Sequence, residues 1–250
     1  LGFYYTQQGQ AELLERSVLT NNGKRMTGDS LFYDRNRGIG EAFQNVEFVD
    51  TISKNMLTGD YCFYNQLTGY AFATDKAVAT DFSQGDSLFI HADTLQLYTF
   101  HVNTDSVYRE ARAYHKVRFY RTDIQGVCDS LVFSSKDSCL TLYQDPILWN
   151  GKQQLLGEEI MVYMNDSTID WAHIQNQALS VEQLDSLNYN QVSGKDMKAY
   201  FEGGEMKQVD VDGSVRLVYF PMEKDSTLLG MNCSETSKLS MFLENRKLKK

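Results

Sequence analysis

Apolar positions in this chain fall in short alternating runs that recur. "MTGDSLFYD" (Met26–Asp34) aligns with "LTGDYCFYN" (Leu57–Asn65), "IHADTLQLY" (Ile90–Tyr98), "GVCDSLVFS" (Gly126–Ser134), "LLGEEIMVY" (Leu155–Tyr163) and "VSGKDMKAY" (Val192–Tyr200). The alignment places anchors at Asp29, Asp60, Asp93, Asp129, Glu158 and Lys195, separated by 31, 33, 36, 29 and 37 residues. Two residues past each anchor stand Leu31, Cys62, Leu95, Leu131, Ile160 and Met197, and four past it stand Tyr33, Tyr64, Leu97, Phe133, Val162 and Ala199. All are apolar or aromatic, whereas the position before the first column is mostly polar and the one between the columns is mixed. Alternate residues of a strand share a face, so the two columns predict strands with one inward face.

Each unit continues through turn residues such as "DRNRG" (Asp34–Gly38) or "NQLTG" (Asn65–Gly69) into a second strand-like run. In these second runs the inward pairs are Val46 with Phe48, Val117 with Phe119, Ile147 with Trp149, and Val215 with Leu217. A unit therefore reads as strand, turn, strand, turn, with acidic residues, three of the anchors among them, expected at strand starts, where they suit turns and sheet edges. Helix-like patterning is confined to "AELLERSVL" (Ala11–Leu19) and "SVEQLDSL" (Ser180–Leu187), and neither belongs to a strand–helix alternation. The fold class is all-β. Stacked repeats, each adding an apolar strip, make a long trough with a continuous apolar interior. Periodicity leaves two interiors open: a core filled by its own side chains, or a slot that takes an acyl chain.

Composition narrows the function classes. A net charge of −9 over 250 residues argues against a nucleic-acid partner, which would need a basic stripe. No apolar run approaches the roughly 18 residues that span a bilayer as a helix. The chain begins at Leu1 and not Met, so a removed leader is expected. Cys62, Cys128, Cys139 and Cys233 show no Cys-x-x-Cys spacing, which disfavours zinc; they read as buried thiols, with two disulfides as the alternative in an oxidising compartment.

Candidate chemistry is sparse. "GDSLF" occurs at Gly28–Phe32 and Gly85–Phe89, and Asp170-Trp171-Ala172-His173 supplies an Asp-x-x-His, together resembling the serine and base of GDSL esterases. Against that, Ser30 leads into a strand-like run, and the two copies occupy different places in the repeat. His91, His101, His115 and His173 have no ligand spacing, and no cofactor is expected. "REARAYHKVRFYR" (Arg109–Arg121) alternates Ala111, Ala113, His115, Val117 and Phe119 inward with Arg112, Lys116 and Arg118 outward, a solvated basic face. The basic tail "NRKLKK" (Asn245–Lys250) reads as a frayed end.

The recurring "GD-x-L-x-Y … G-x-A-x … NV-x-F" grammar, clearest over Met26–Phe48 and Leu57–Ala79, resembles the OstA-like family of the lipopolysaccharide-transport superfamily. "YNQVSGKDMKAYFEGGEMKQVDVDGSVRLVYF" (Tyr189–Phe220) looks like the distal part of its Bacteroidetes members. The resemblance covers about Met26 to Tyr219; Phe3–Thr20 and the tail after Pro221 depart from it. It implies antiparallel strands stacked in a V-shaped (β-taco) jellyroll-like trough, as one extended domain over 1–250 or two tandem modules, about 1–125 and 126–250. It also implies a non-enzymatic periplasmic protein, soluble or outer-membrane associated, that shields the acyl chains of lipid A and joins other modules by edge-strand addition. On this reading the slot is lined by Leu31, Tyr33, Cys62, Tyr64, Leu95, Leu97, Val117, Phe119, Leu131, Phe133, Ile160 and Val162. The alternatives are an envelope β-repeat scaffold without lipid cargo and, more remotely, the esterase.

Overall fold

The structure, a computed structural model, describes residues 1–21, 23–52, 54–83, 85–102, 104–122, 124–165, 168–203, 205–223, 227–244 and 247–248. Among them there is no helix, and the strand pairings are antiparallel. The chain divides into two compact units, Leu1–Thr122 with Ser130–Lys136, and Asp123–Asp129 with Asp137–Lys250.

The first unit is a meander of β1 (Gly2–Tyr5), β2 (Gln10–Asn21), β3 (Lys24–Asp34), β4 (Ile39–Asp50), β5 (Asn55–Asn65), β6 (Tyr70–Asp81), β7 (Leu88–Phe100) and β8 (Tyr108–Tyr120). It also holds the end of β9 (Gln125–Ser134), from Ser130 onward. β2 to β8 run 11–13 residues, about twice the usual strand length. Each is divided into two arms by a register shift in mid-strand, as between Thr27 and Ser30, Thr58 and Tyr61, or His91 and Thr94.

The shifts have a common construction. β4, β6 and β8 each carry two consecutive left-handed residues: Gln44–Asn45, Asp75–Lys76 and His115–Lys116. Left-handed non-glycine residues are strained, so the surroundings must hold them. The partner is the repeat anchor. Asp29 accepts from Asn45 Nδ2 at 2.7 Å, Asp60 from Lys76 Nζ at 2.7 Å, and Asp93 from Lys116 Nζ at 3.0 Å. The preceding glycine lets the bend's carbonyls approach: a Cβ on Gly59 would lie 3.0 Å from the Thr74 oxygen, and one on Gly28 3.4 Å from that of Phe43. Ala92, in the same place before Asp93, shows that a Cβ is accommodated there.

The second unit takes the start of β9 and then β10 (Cys139–Tyr143), β11 (Ile147–Asn150), β12 (Gln153–Leu156), β13 (Glu159–Asn165), β14 (Thr168–Gln183), β15 (Tyr189–Glu202), β16 (Glu205–Tyr219), β17 (Asn232–Glu244) and β18 (Lys247–Leu248). Here two bends open fully, so β10–β11 and β12–β13 are the separated arms of two bent strands. They part at the left-handed pair Gln144–Asp145 and at Gly157–Glu158. β14 bends at Asn176–Gln177, where Gln177 Nε2 donates to Glu158 at 2.8 Å, and β16 bends at Gly213–Ser214. Gly213 is required: its φ is +83° and a Cβ would fall 2.6 Å from that of Lys195.

Several sequence expectations are corrected. The anchors sit in the middle of bent strands, not at strand starts. Ala11–Leu19 belongs to β2 and Ser180–Gln183 to β14; in both, ladder pairing overrides a local helical pattern. In β11 Leu148 is buried, with Ile147 and Trp149 on either side only half-buried, because the left-handed pair just before resets the alternation. His115 lies in a bend and is exposed. The four cysteines are free thiols, Cys62 and Cys128 buried, Cys139 half-buried and Cys233 exposed. Apart from the Lys247–Leu248 backbone, the basic tail lies outside the described residues.

Candidate apolar slot

Cross-strand register converts the sequence columns into rows. In the first unit one row runs Leu13, Leu31, Ala42, Cys62, Ala73, Leu95, Ala113 from β2 to β8. From Leu31 onward its members are 0–9% exposed. The next row on the same face, Ala11, Tyr33, Gly40, Tyr64, Ala71, Leu97, Ala111, is more open: Tyr64 is 41% and Leu97 37% exposed. Nothing lies within 4 Å of where a Cβ on Gly40 would be. Across the bend a third apolar row runs Leu19, Met26, Phe48, Leu57, Ala79, Ile90, Phe119.

The second unit repeats the scheme. Leu142, Ile160, Ile174, Met197, Val211 and Leu239 form one row, and Leu140, Val162, Ala172, Ala199, Val209 and Met241 the next. On the other arm stand Leu148, Leu155, Ser180, Val192, Leu217 and Ser234. Residues of both arms line one cavity of about 480 Å³: Met197, Ala199, Val209, Leu239 and Met241 from one side, Leu155, Ser180, Val192 and Leu217 from the other. Its size suits a small amphiphile. Gln153, Glu182, Asn190 and Glu223 also reach it, and among the described residues no Lys or Arg lines it.

Apart from Val162, the expected lining residues separate by distance from the bend. Leu31, Cys62, Leu95, Leu131, Ile160, Val162, Val117 and Phe119 are buried at 0–9% exposure, whereas Tyr33 and Phe133 are half-buried and Tyr64 and Leu97 exposed. On the β15–β17 side of the second cavity the sequence reading placed Leu217 inward and missed Val192, Val209, Leu239 and Met241. The available signal was the alternation of Leu239, Met241 and Leu243 in the tail, which departs from the repeat grammar.

The outward face of the first unit carries a run of rings. Phe43, Tyr61, Phe72, Phe63, Tyr70, Tyr98, Phe100 and Tyr108 neighbour one another at centroid distances of 4.7–6.2 Å, and Arg112 stacks on Tyr98 at 4.5 Å. These rings satisfy each other across strands. Arg112 is further held by the Glu110 carboxylate, and Lys116 by Asp93.

Ser30 is half-buried in a cross-strand row between Leu14 and Phe43 in the first unit. His173 belongs to the second, where Nε2 meets Asp196 Oδ1 at 3.6 Å and Nδ1 meets Gln175 at 3.3 Å. Burial, helped by Lys198, holds its pKa below the ordinary histidine value. Among the described residues no three His, Cys, Asp or Glu side chains are placed to share a metal ion. No family model matches the chain, and no curated protein matches it.

Proposed function

We propose that the protein is a non-enzymatic lipopolysaccharide-transport module of the OstA-like type, working in the periplasm. Its bent strands form a V-shaped, jellyroll-like trough, and lipid A acyl chains lie between the arms. The observation that carries the reading is the cavity in the second unit, lined by apolar residues from both arms of β15 and β16, by Leu155 of β12 and by β17. Each methylene buried there contributes about 0.8 kcal/mol, so affinity needs no specific polar contact. The strand edges suit the expected partners. Among the described residues Asn232–Phe242 of β17 pair only with β16, and β2 beyond Leu14 pairs only with β3. Such edges accept a strand from another module.

Photo-crosslinking amino acids at Val209, Met241 and Leu95, with Arg112 and Lys198 as outward controls, test the reading. Lipopolysaccharide adducts are expected at the first three. Adducts confined to the controls would overturn it. A scaffold with a filled interior is the second reading, favoured by the tight packing on both sides of the bend, where Ala42, Ala73, Ala77 and Ala92 are 0% exposed. It requires the purified protein to carry no lipid under native mass spectrometry.

A further inference from the structure

One charged side chain breaks the apolar inward face of the first unit's upper arms. Arg109 pairs with Thr99 and shares parity with Ala111 and Ala113, so it continues the inward row. It lines a second cavity, of about 360 Å³, with Leu97, Val107, Tyr108, Ala111 and Phe133, and Ser135 completes the wall. The other cations of β8 are engaged or turned away: Arg112 and Lys116 are ion-paired, and Arg118 stands on the outward row opposite His91. Among the described residues no carboxylate pairs with the Arg109 guanidinium. Only its backbone is held, the N–H donating to Ser135 Oγ at 2.8 Å and the carbonyl accepting from Ser135 N at 2.9 Å.

A cavity with apolar walls, one exposed guanidinium and a hydroxyl has the chemistry of an anionic amphiphile's site. Among the described residues the second unit's cavity has the opposite character, with Glu182 and Glu223 and no cation. We infer that the first unit's cavity binds the phosphate head of an acylated ligand through Arg109 and Ser135, its chain running over Leu97, Ala111 and Phe133. This rests on the lipid-binding reading and adds to it where the charged head is held. A phosphate accepts the parallel N–H groups of one guanidinium, and the Ser135 hydroxyl keeps its own proton for a further oxygen.

The test titrates the full chain at low salt with 1-myristoyl-lysophosphatidic acid, with 1-monomyristoylglycerol and with inorganic phosphate, each below its aggregation limit. The wild type should bind the phosphate ester about five- to tenfold tighter than the glycerol ester. Arg109→Gln should bring the two affinities together, and Arg109→Lys should restore part of the preference. Equal binding of both esters by the wild type, or a preference that survives Arg109→Gln, overturns the assignment and leaves lipid binding standing. Inorganic phosphate that competes as strongly as the ester reduces the site to a bare anion site and overturns it too. If neither ester binds, this assignment and the lipid-binding reading both fall.

Discussion

Lys76 Nζ donates a 2.7 Å hydrogen bond to Asp60 Oδ2, and Lys76 is one of the two left-handed residues that bend β6. The repeat anchor thus fastens the corner of the following strand, and its neighbours Asp29 with Asn45 and Asp93 with Lys116 do the same. The hydrogen bond from Lys76 holds the Asp60 carboxyl below its ordinary value of 3.8, while the lysine is shifted up. Folding therefore favours the carboxylate. The contribution is complete above the unfolded-state pKa and is lost as pH falls through the lowered folded one. Thermal melts of wild type and Asp60→Asn between pH 7 and pH 3 should show the variant less stable at neutral pH. The gap should close toward the acid end, and a constant gap would refute the link.

Gly59 and Gly40 differ in what a methyl group would meet. Gly59→Ala presses a Cβ to 3.0 Å from the Thr74 carbonyl oxygen, whereas Gly40→Ala enters open space. Urea denaturation should show the first destabilised by about 1–3 kcal/mol and the second within about 0.5 kcal/mol of wild type.

Leu31 and Ser30 are adjacent and opposite in consequence. Leu31 is 3% exposed on the buried row, and Ser30 is half-buried on the outward one. Leu31→Ala should cost about 2–4 kcal/mol by leaving a cavity, and Ser30→Ala less than about 1 kcal/mol. Hydrolysis of p-nitrophenyl acetate that is present in the wild type and absent in Ser30→Ala would instead support the esterase.

The cysteines report on burial. Exclusion from water pushes the Cys62 and Cys128 thiols up to about 12, so at pH 8 neither supplies a useful fraction of thiolate. Iodoacetamide followed by peptide mass spectrometry should label Cys233 first and Cys139 more slowly. Cys62 and Cys128 should react only after denaturation.

The all-β class was legible because alternation survives within each arm. The column holding Leu31, Cys62 and Leu95 lies near the bend, and its burial follows directly from spacing. The bends were not legible. Gln44–Asn45, Asp75–Lys76 and His115–Lys116 have no residue type common to all three, since what fixes a left-handed pair is the anchor and carbonyl contact from the neighbouring strand. The same cause misplaced Ile147 and Trp149: a pair just upstream resets which residue faces inward. Arg109 was read only as part of a basic stretch, because parity gives its face while the cavity beside it depends on Val107 and Phe133, from a loop and from β9.

The corners also decide where such a chain tolerates a change in length. One residue added inside an arm would exchange its inward and outward sides between two fixed points, turning charges such as Arg112 or Arg118 onto the apolar rows. Length can vary at the hairpin ends, where Gly9, Gly38 and Gly69 close short turns. The anchors keep to the creases while their spacing varies from 29 to 37 residues, so within this chain the difference in length falls outside the creases.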